Sequence, residues 1–488
     1  MTLSRFQSYE AATGEPLSGD FCEATVDQID SACEAAKQAF DVLRNQDENV
    51  RADLLLLVAD RMQSHREAIV ERCQLETGYL QPRVEGEFDR AVGQLKLFAR
   101  LTRERIWDVT ASDPADPDRK PIPKPSMHRR FVPLGPIAVF GACNFPLAIS
   151  VVGNDFVAAI AVGCPVVVKS HPSHAGTCDL LGRIVEDAVA ELGLPAGTFS
   201  LLHGQENETS VALVQQSQIA GVGFTGSPAG GRALAKAILD RDQPIPIFAE
   251  LGSTNPVFLA PDAITKNSDS IADGFASSLR FGNGHMCTKP GVVVAVESLM
   301  DPFVKATTEI LSKQTPLPLL SKRVAENFDR GIDQLKQTAG VKTIVENQMP
   351  GAGPWHRGPH WFSVDAESAI EHDLISLETF GPVSLLVRCK DAEEMLRIAG
   401  RFTGSLTTTI HATDQDRNFE SEWLKHATRF AGRIIRNGWP TGMEIGPATH
   451  HGGPYPASLD GRSTSVGYAS LERFIRPVCF QDFLFPES

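Results

Sequence analysis

Residues 219–231 read IAGVGFTGSPAGG, a short apolar run that breaks into glycines and restarts as small residues with helical spacing. A strand that enters a glycine turn and leaves as a helix is part of a βαβ unit, so the neighbouring sequence should supply the remainder. It does so on both sides. PIAVFGA at 136–142, PVVVKS at 165–170, GTFSLLH at 197–203 and PIPIFAEL at 244–251 are further short runs rich in branched or aromatic residues. Helical patterning lies between them, over 145–162, 174–192, 207–217 and 229–240. Strands alternating with helices predict an α/β fold built on a doubly wound parallel sheet, which binds ligands beyond the carboxyl ends of its strands.

Upstream, the spacing predicts helices over Val26–Leu43, Arg51–His65, Arg66–Glu76 and Glu85–Arg103, with Asp27 and Ser64 as candidate caps of the first and third. The stretch 112–126, SDPADPDRKPIPKPS, is too dense in proline to continue a helix and reads as a linker or an extended arm. A chain of 488 residues exceeds what one core organises, so two or more domains are expected. The balance of 46 basic and 60 acidic residues, net −14, disfavours nucleic acid and anionic membrane as partners and favours small molecules. The nine cysteines form no C-x-x-C pair and accompany no paired histidine spacing, which argues against a disulfide framework and against a metal site. The opening MTLSRFQSYEAATGEP lacks the apolar core of a signal peptide, and a cytoplasmic setting is expected.

Polar residues at the predicted strand ends are the candidates for chemistry. In GFTGSPAGG, 223–231, backbone N–H groups around Gly226, Ser227 and Gly231 could face a pyrophosphate, although this is not the G-x-G-x-x-G pattern and a plain turn reads equally well. Lys169 closes VVVKS, either as a solvated strand end or as a cation for a ribose or phosphate. The residues that follow, Ser170, His171, Pro172 and Ser173, include no acid to meet a plain ribose, which leans towards NADP over NAD. Asn144 in GACNFP, Glu250 in FAELG and Cys287 in GNGHMCTKPG each have a bland reading, as a turn residue, a strand terminus and a loop thiol. Together they match covalent catalysis: a thiol to attack a carbonyl, an amide to hold the oxyanion and a carboxylate to activate water.

The elements FGACNFP, GFTGS, ELGS, CTKPG and ETFGP, in this order and spread over nearly the whole chain, resemble the aldehyde dehydrogenase superfamily. ELGSTNPVF, HGGPYPAS and RSTSVGYASLERFIRPVCFQD are similar to the branch of α-ketoglutaric semialdehyde (2,5-dioxovalerate) dehydrogenases, and NADP-dependent fatty aldehyde dehydrogenases share several of these stretches. The resemblance implies that Cys287 is the nucleophile, that Asn144 and the Cys287 N–H hold the oxyanion, and that Glu250 activates the hydrolytic water. It implies cofactor contacts from Lys169, Ser170, His171, Gly226, Ser227, Gly231, Glu378 and Phe380, with NADP preferred or NAD as acceptor.

Phe145, His285, Met286 and Thr288 would border the aldehyde tunnel, and Arg280, Arg433 and Arg462 are candidates for a distal carboxylate. His285 and Met286 depart from the glutamine and aromatic residue usual in the branch, as Gly153–Asn154–Asp155–Phe156 departs from its Gly-Gly-Asp-Thr. The expected architecture is a Rossmann-type cofactor domain (1–111 and 135–251), an α/β catalytic domain (252–452) and a small bridging, oligomerisation element (112–134 and 453–488) of a homodimer or homotetramer. The expected reaction is NAD(P)-dependent oxidation of an aldehyde to an acid through a thiohemiacetal and a thioester. Alternatives are a medium- or long-chain aldehyde as substrate, or a catalytically silent binding protein on the same fold.

Overall fold

The structure is a computed structural model and describes residues 4–347 and 352–483; the ends of the expected cofactor domain and of the expected bridging element, 1–3 and 484–488, lie outside the described residues. Helix α1 (Val26–Leu43) starts from Thr25, whose hydroxyl accepts the Gln28 N–H while the Gln28 side chain accepts the Thr25 N–H. This reciprocal cap places Asp27 inside the first turn, so the expected cap moves two residues back. Helix α2 (Glu48–Ser64) begins before the apolar spacing does because Asp47 accepts the Asn49 N–H. Ser64 ends α2, and α3 (Arg66–Thr77) opens at His65 without a side-chain cap. Helix α4 (Gln81–Glu104) carries Pro82 in its first turn, where no N–H is needed. Leu54, Val58 and Met62 of α2 share one fully buried cluster with Phe88, Leu95 and Phe98 of α4, each side chain contributing ~1.5–3 kcal/mol by leaving water.

The predicted strands form a five-stranded parallel sheet of β1 (Ile137–Phe140), β2 (Val166–Lys169), β3 (Phe199–Leu202), β4 (Gly221–Thr225) and β5 (Ile247–Glu250), in the order β3-β2-β1-β4-β5. Helices α5 (Asn154–Val162), α6 (Ala175–Glu191), α7 (Asn207–Gln215) and α8 (Pro228–Leu239) connect them. The spacing predicts the first connecting helix from 145, yet α5 starts at Asn154. Both N–H groups of Leu147 and Ala148 donate to one oxygen of Glu87, which holds this stretch as a turn rather than a helix. In register, Phe140 lies opposite Lys169 and Phe224, and Thr225 opposite Glu250, so the candidate side chains share one edge of the sheet.

A second, seven-stranded sheet consists of β6 (Val257–Leu259), β7 (Val292–Val296), β8 (Lys342–Glu346), β9 (His360–Asp365), β10 (Val383–Cys389), β11 (Ser405–His411) and β12 (Ala431–Arg436). Its order is β8-β9-β10-β7-β6-β11-β12, parallel except where β8 runs against β9. Helix α9 (Pro261–Arg280) packs on it through Ile264, Ile271, Phe275 and Leu279. The proline-rich arm becomes strand Ala111–Asp113 and a bridge from Asp116 to Lys124. With Met127–Pro133 and Ile475–Gln481 it makes a separate three-stranded antiparallel sheet, Ile475–Gln481 on one edge. Among the described residues no helix is long and apolar enough to cross a membrane.

Candidate active site

The loop that carries Cys287 explains its glycines. After α9, Gly282, Asn283 and Gly284 take φ values of 58°, 51° and 74°, a left-handed turn that costs glycine little. A Cβ on Gly284 would stand 2.3 Å from the carbonyl carbon of Gly381, so this loop and the Gly381–Pro382 backbone press together. Asn283 donates to the carbonyls of Leu317 (2.8 Å) and Pro318 (3.1 Å). Asn255, buried and at φ 48°, donates through Nδ2 to the carbonyls of Cys287 (2.8 Å) and Lys289 (3.0 Å). Its Oδ1 accepts from the Ser253 hydroxyl (2.9 Å) and the Thr407 hydroxyl (3.0 Å), so the cysteine backbone is tied to β11.

Cys287 is half-buried, with Sγ 3.4 Å from Nε2 of His451. The same Nε2 lies 3.0 Å from Oε1 of Glu250, a close contact rather than an aligned hydrogen bond, and the other Glu250 oxygen accepts from the Ser465 hydroxyl. His451 is itself held by its N–H on the Thr464 hydroxyl (2.7 Å) and its carbonyl under the Ser465 N–H (2.8 Å). The segment that carries them laps over β5, pairing Leu251 N–H with Ala457 and Leu459 N–H with Ala249. Burial pushes the Cys287 thiol well up, and the Glu250 charge adds to it; Arg90 pulls the other way. Burial also works against Glu250 ionising, but His451 and the hydroxyl of Ser465 outweigh it and hold the carboxyl below its ordinary range. The site therefore rests as a neutral thiol beside a buried carboxylate.

Asn144 is buried and donates Nδ2 to the carbonyl of His285 at 2.6 Å, leaving its second amide hydrogen for a ligand. Its own carbonyl accepts from the Tyr79 hydroxyl (3.3 Å) and from Arg83 (3.4 Å). The structure thus brings Asn144, Glu250 and Cys287 to one place and adds His451 and Asn255, which the sequence reading had not singled out. Their signals were HGGPYPAS and the Asn-Pro of ELGSTNP, both quoted only for resemblance.

Of the expected tunnel residues, Phe145, Met286 and Thr288 are buried beside Asn144 and Cys287. His285 departs from expectation: it is fully enclosed, its ring 5.1 Å from Phe380 and 6.2 Å from Tyr79, with neither nitrogen partnered among the described residues. Burial pushes it down to about 3, so it stands neutral within the wall. Of the three arginine candidates, Arg433 is reached by the Cys287 charge. Arg462 is 93% exposed beside Asp460, Arg433 spends its guanidinium on the carbonyls of Gly442 and Pro440, and Arg280 closes α9 partly exposed.

On the dinucleotide side, Lys169 ends β2 almost fully buried, and burial pulls its ammonium down to about 8 despite Glu23. Ser170 contacts the His203 ring at 3.0 Å, and His171 accepts the Ser173 N–H and stacks on His174. Ser227 caps α8 by accepting the Gly230 N–H, and the Gly231 N–H donates to the Ser227 carbonyl, so of the expected phosphate donors Gly226 and Gly231 are spent within the protein. Gly226 donates to the Glu250 carbonyl (3.1 Å), and a Cβ on Gly231 would strike Leu251 at 2.3 Å. A Cβ on Gly252 would stand 1.9 Å from Glu378 Oε2, so a glycine is what lets this carboxyl lie across the cleft. Burial raises the Glu378 carboxyl, opposed by Lys289, and Phe380 stands two residues on. Thr225 ends β4 with a buried hydroxyl that has no partner among the described residues. The orphan Thr225 hydroxyl and the buried Lys169, at the carboxyl ends of the two strands that flank β1, fit a dinucleotide.

The model of the aldehyde dehydrogenase family matches residues 2–474 of this chain. An α-ketoglutaric semialdehyde dehydrogenase 2 of Azospirillum brasilense is 41% identical over 99% of this chain and 92% of its own length. An α-ketoglutaric semialdehyde dehydrogenase of Acinetobacter baylyi is 38% identical over 98% of this chain and 90% of its own. A solved 1-pyrroline-5-carboxylate dehydrogenase superposes with a TM-score of 0.83 at 20% identity, covering 98% of this chain and 90% of that one.

Proposed function

The chain belongs to the aldehyde dehydrogenase family, and from that premise we propose that it oxidises α-ketoglutaric semialdehyde to 2-oxoglutarate on Cys287. The observation that carries this reading is the contact of His451 with both the Cys287 thiol and the Glu250 carboxylate, in a chain so similar to semialdehyde dehydrogenases.

Cys287 loses its proton towards His451, and Sγ attacks the aldehyde carbon to give a thiohemiacetal. The Asn144 amide and the Cys287 N–H hold the oxyanion. The nicotinamide cofactor, when bound by Lys169, Ser170, His171, Gly226, Ser227, Gly231, Glu378 and Phe380, supplies the acceptor for the electron pair of the C–H bond. A thioester then remains on Cys287. Glu250 takes a proton from water, the oxygen attacks the thioester carbon, and the thiolate leaves as the acid is freed. Aldehyde, NAD(P)+ and water become carboxylate, NAD(P)H and two protons.

We infer a preference for NADP. Lys169 and Arg323, whose charge reaches Lys169 from the helix Lys322–Gln337, would meet a 2′-phosphate. The nearby Glu23 carboxylate is occupied by the N–H groups of Gln205 and Glu206 and the hydroxyl of Thr209. We further infer division into the cofactor, catalytic and bridging parts given above. The chain would act in the cytoplasm as a dimer or tetramer joined through the edge strand Ile475–Gln481, and elution as a monomer in light scattering would overturn that assembly.

The test is NADPH and NADH formation by wild type and Cys287→Ala on α-ketoglutaric semialdehyde, succinic semialdehyde and medium-chain aliphatic aldehydes. Turnover led by α-ketoglutaric semialdehyde and abolished in Cys287→Ala is expected. Faster turnover of the aliphatic aldehydes would replace the substrate, and cofactor binding without any turnover would favour a silent fold.

A further inference from the structure

Helix α4 sends three charged side chains towards the Cys287 region, and only one of them is unspent. Glu87 is saturated, one oxygen accepting the N–H groups of Leu147 (2.8 Å) and Ala148 (3.0 Å) and the other accepting Arg83 at 2.7 Å. Arg83 divides itself between Glu87 and the Asn144 carbonyl, and its guanidinium lies 4.7 Å from the centre of the Phe145 ring. Arg90, two turns further along, stands 5.5 Å from the centre of the same ring. It has neither a salt bridge nor a hydrogen bond among the described residues. Its Nε is closed off from solvent without a partner, whereas its two terminal nitrogens are neither closed off nor bonded. Burial works against its charge, Glu87 supports it, and the fields of Cys287 and Glu250 reach it.

A half-buried arginine left unpaired near a catalytic thiol, with Nε shut off from water and both terminal nitrogens open, has donors free for an anion that arrives. A guanidinium offers two parallel N–H donors in the plane a carboxylate matches. The group stands over the ring of Phe145, the residue next in sequence to Asn144, and the charges of Cys287 and Glu250 reach it. A substrate whose aldehyde sits at Cys287 and whose other end is a carboxylate supplies such an anion. We propose that Arg90 is the anchor for the carboxylate at the far end of the substrate, making the site selective for ω-oxo acids over uncharged aldehydes. This rests on the substrate class given under Proposed function. Arg90 is preferred to Arg433, which the Cys287 charge also reaches but whose terminal nitrogens are committed to carbonyls, and to Arg462, which lies in solvent.

The experiment compares full-length wild type, Arg90→Met and Arg90→Lys with saturating NADP and NAD. It reads the ratio of kcat/KM for α-ketoglutaric semialdehyde to kcat/KM for pentanal, and the Kd of 2-oxoglutarate by calorimetry. Loss of a charge-assisted bidentate contact should lower the ratio about 100-fold in Arg90→Met and weaken 2-oxoglutarate by about 30-fold or more, mostly through KM. Arg90→Lys, which keeps the charge without the fork, should recover part of both. A ratio and a Kd within about threefold of wild type in Arg90→Met, with the wild type still preferring the semialdehyde, would overturn the anchor and leave the substrate class standing. A wild type that does not prefer carboxylated aldehydes would instead overturn the substrate class, and the anchor with it.

Discussion

Nε2 of His451 stands 3.0 Å from Oε1 of Glu250 and 3.4 Å from Sγ of Cys287. One ring nitrogen thus faces both the base and the nucleophile, so the two cannot be altered independently. The Glu250 charge is, after burial, the largest cause that raises the Cys287 thiol. Glu250→Gln removes that charge and should lower the thiol pKa even as it abolishes thioester hydrolysis. Inactivation of the free enzyme by iodoacetamide at pH 7.5 should therefore be about tenfold faster in Glu250→Gln, while steady-state turnover falls ~10²–10⁴-fold. Slower alkylation would mean that Glu250 acts first as the base that ionises the thiol.

The pH dependence of cofactor binding follows from Lys169. Its ammonium is drawn down to about 8 by burial, so the free protein loses this charge as pH rises through 8 instead of near its ordinary value. NADP affinity, measured by fluorescence titration, should weaken from pH 7 to pH 9 by about tenfold, and the slope should vanish in Lys169→Gln. A flat profile in wild type would remove Lys169 from the phosphate site.

Stability offers a check away from chemistry. Arg473 and Asp155 form a fully buried ion pair between the C-terminal segment and α5, and a Cβ on Gly223 would strike Asp155 at 2.5 Å. The carboxylate left behind by Arg473→Met has no water to turn to. The substitution should cost about 3–5 kcal/mol in urea unfolding, and Asp155→Asn with Arg473→Met together should cost less than Arg473→Met alone.

The five strands of the first sheet and the positions of Asn144 and Glu250 at or just beyond strand ends were legible in the sequence because each depends on local pattern, apolar runs and polar residues after them. The strands of the seven-stranded sheet were not singled out. His451 was not, since its partner Cys287 lies 164 residues away and a histidine before Gly-Gly-Pro carries no local sign of a thiol. Arg90 was hidden for a different reason. On a helix rich in paired charges it looks like one more solvated arginine until Glu87 is seen to be occupied elsewhere. The late start of α5 has the same cause, a carboxylate from another helix that competes for backbone N–H groups.

Asn255 tests whether the cysteine loop is positioned or merely tethered. Its one amide nitrogen holds the carbonyls of Cys287 and Lys289 on either side of Thr288, and its oxygen is fixed by Ser253 and Thr407. Asn255→Asp keeps the size and the acceptor but places a buried carboxylate against two carbonyl oxygens, while Asn255→Ala also loses the residue suited to φ 48°. Both should lower stability by about 2–4 kcal/mol. A loop that only needs tethering would lose activity in proportion to the unfolded fraction. A loop that sets the angle of Sγ towards the Asn144 amide should lose about 100-fold in kcat at temperatures where the protein is still fully folded, with KM for the aldehyde little changed. Circular dichroism beside single-turnover rates separates the two, and a kcat that tracks only the folded fraction would reduce Asn255 to a structural tie.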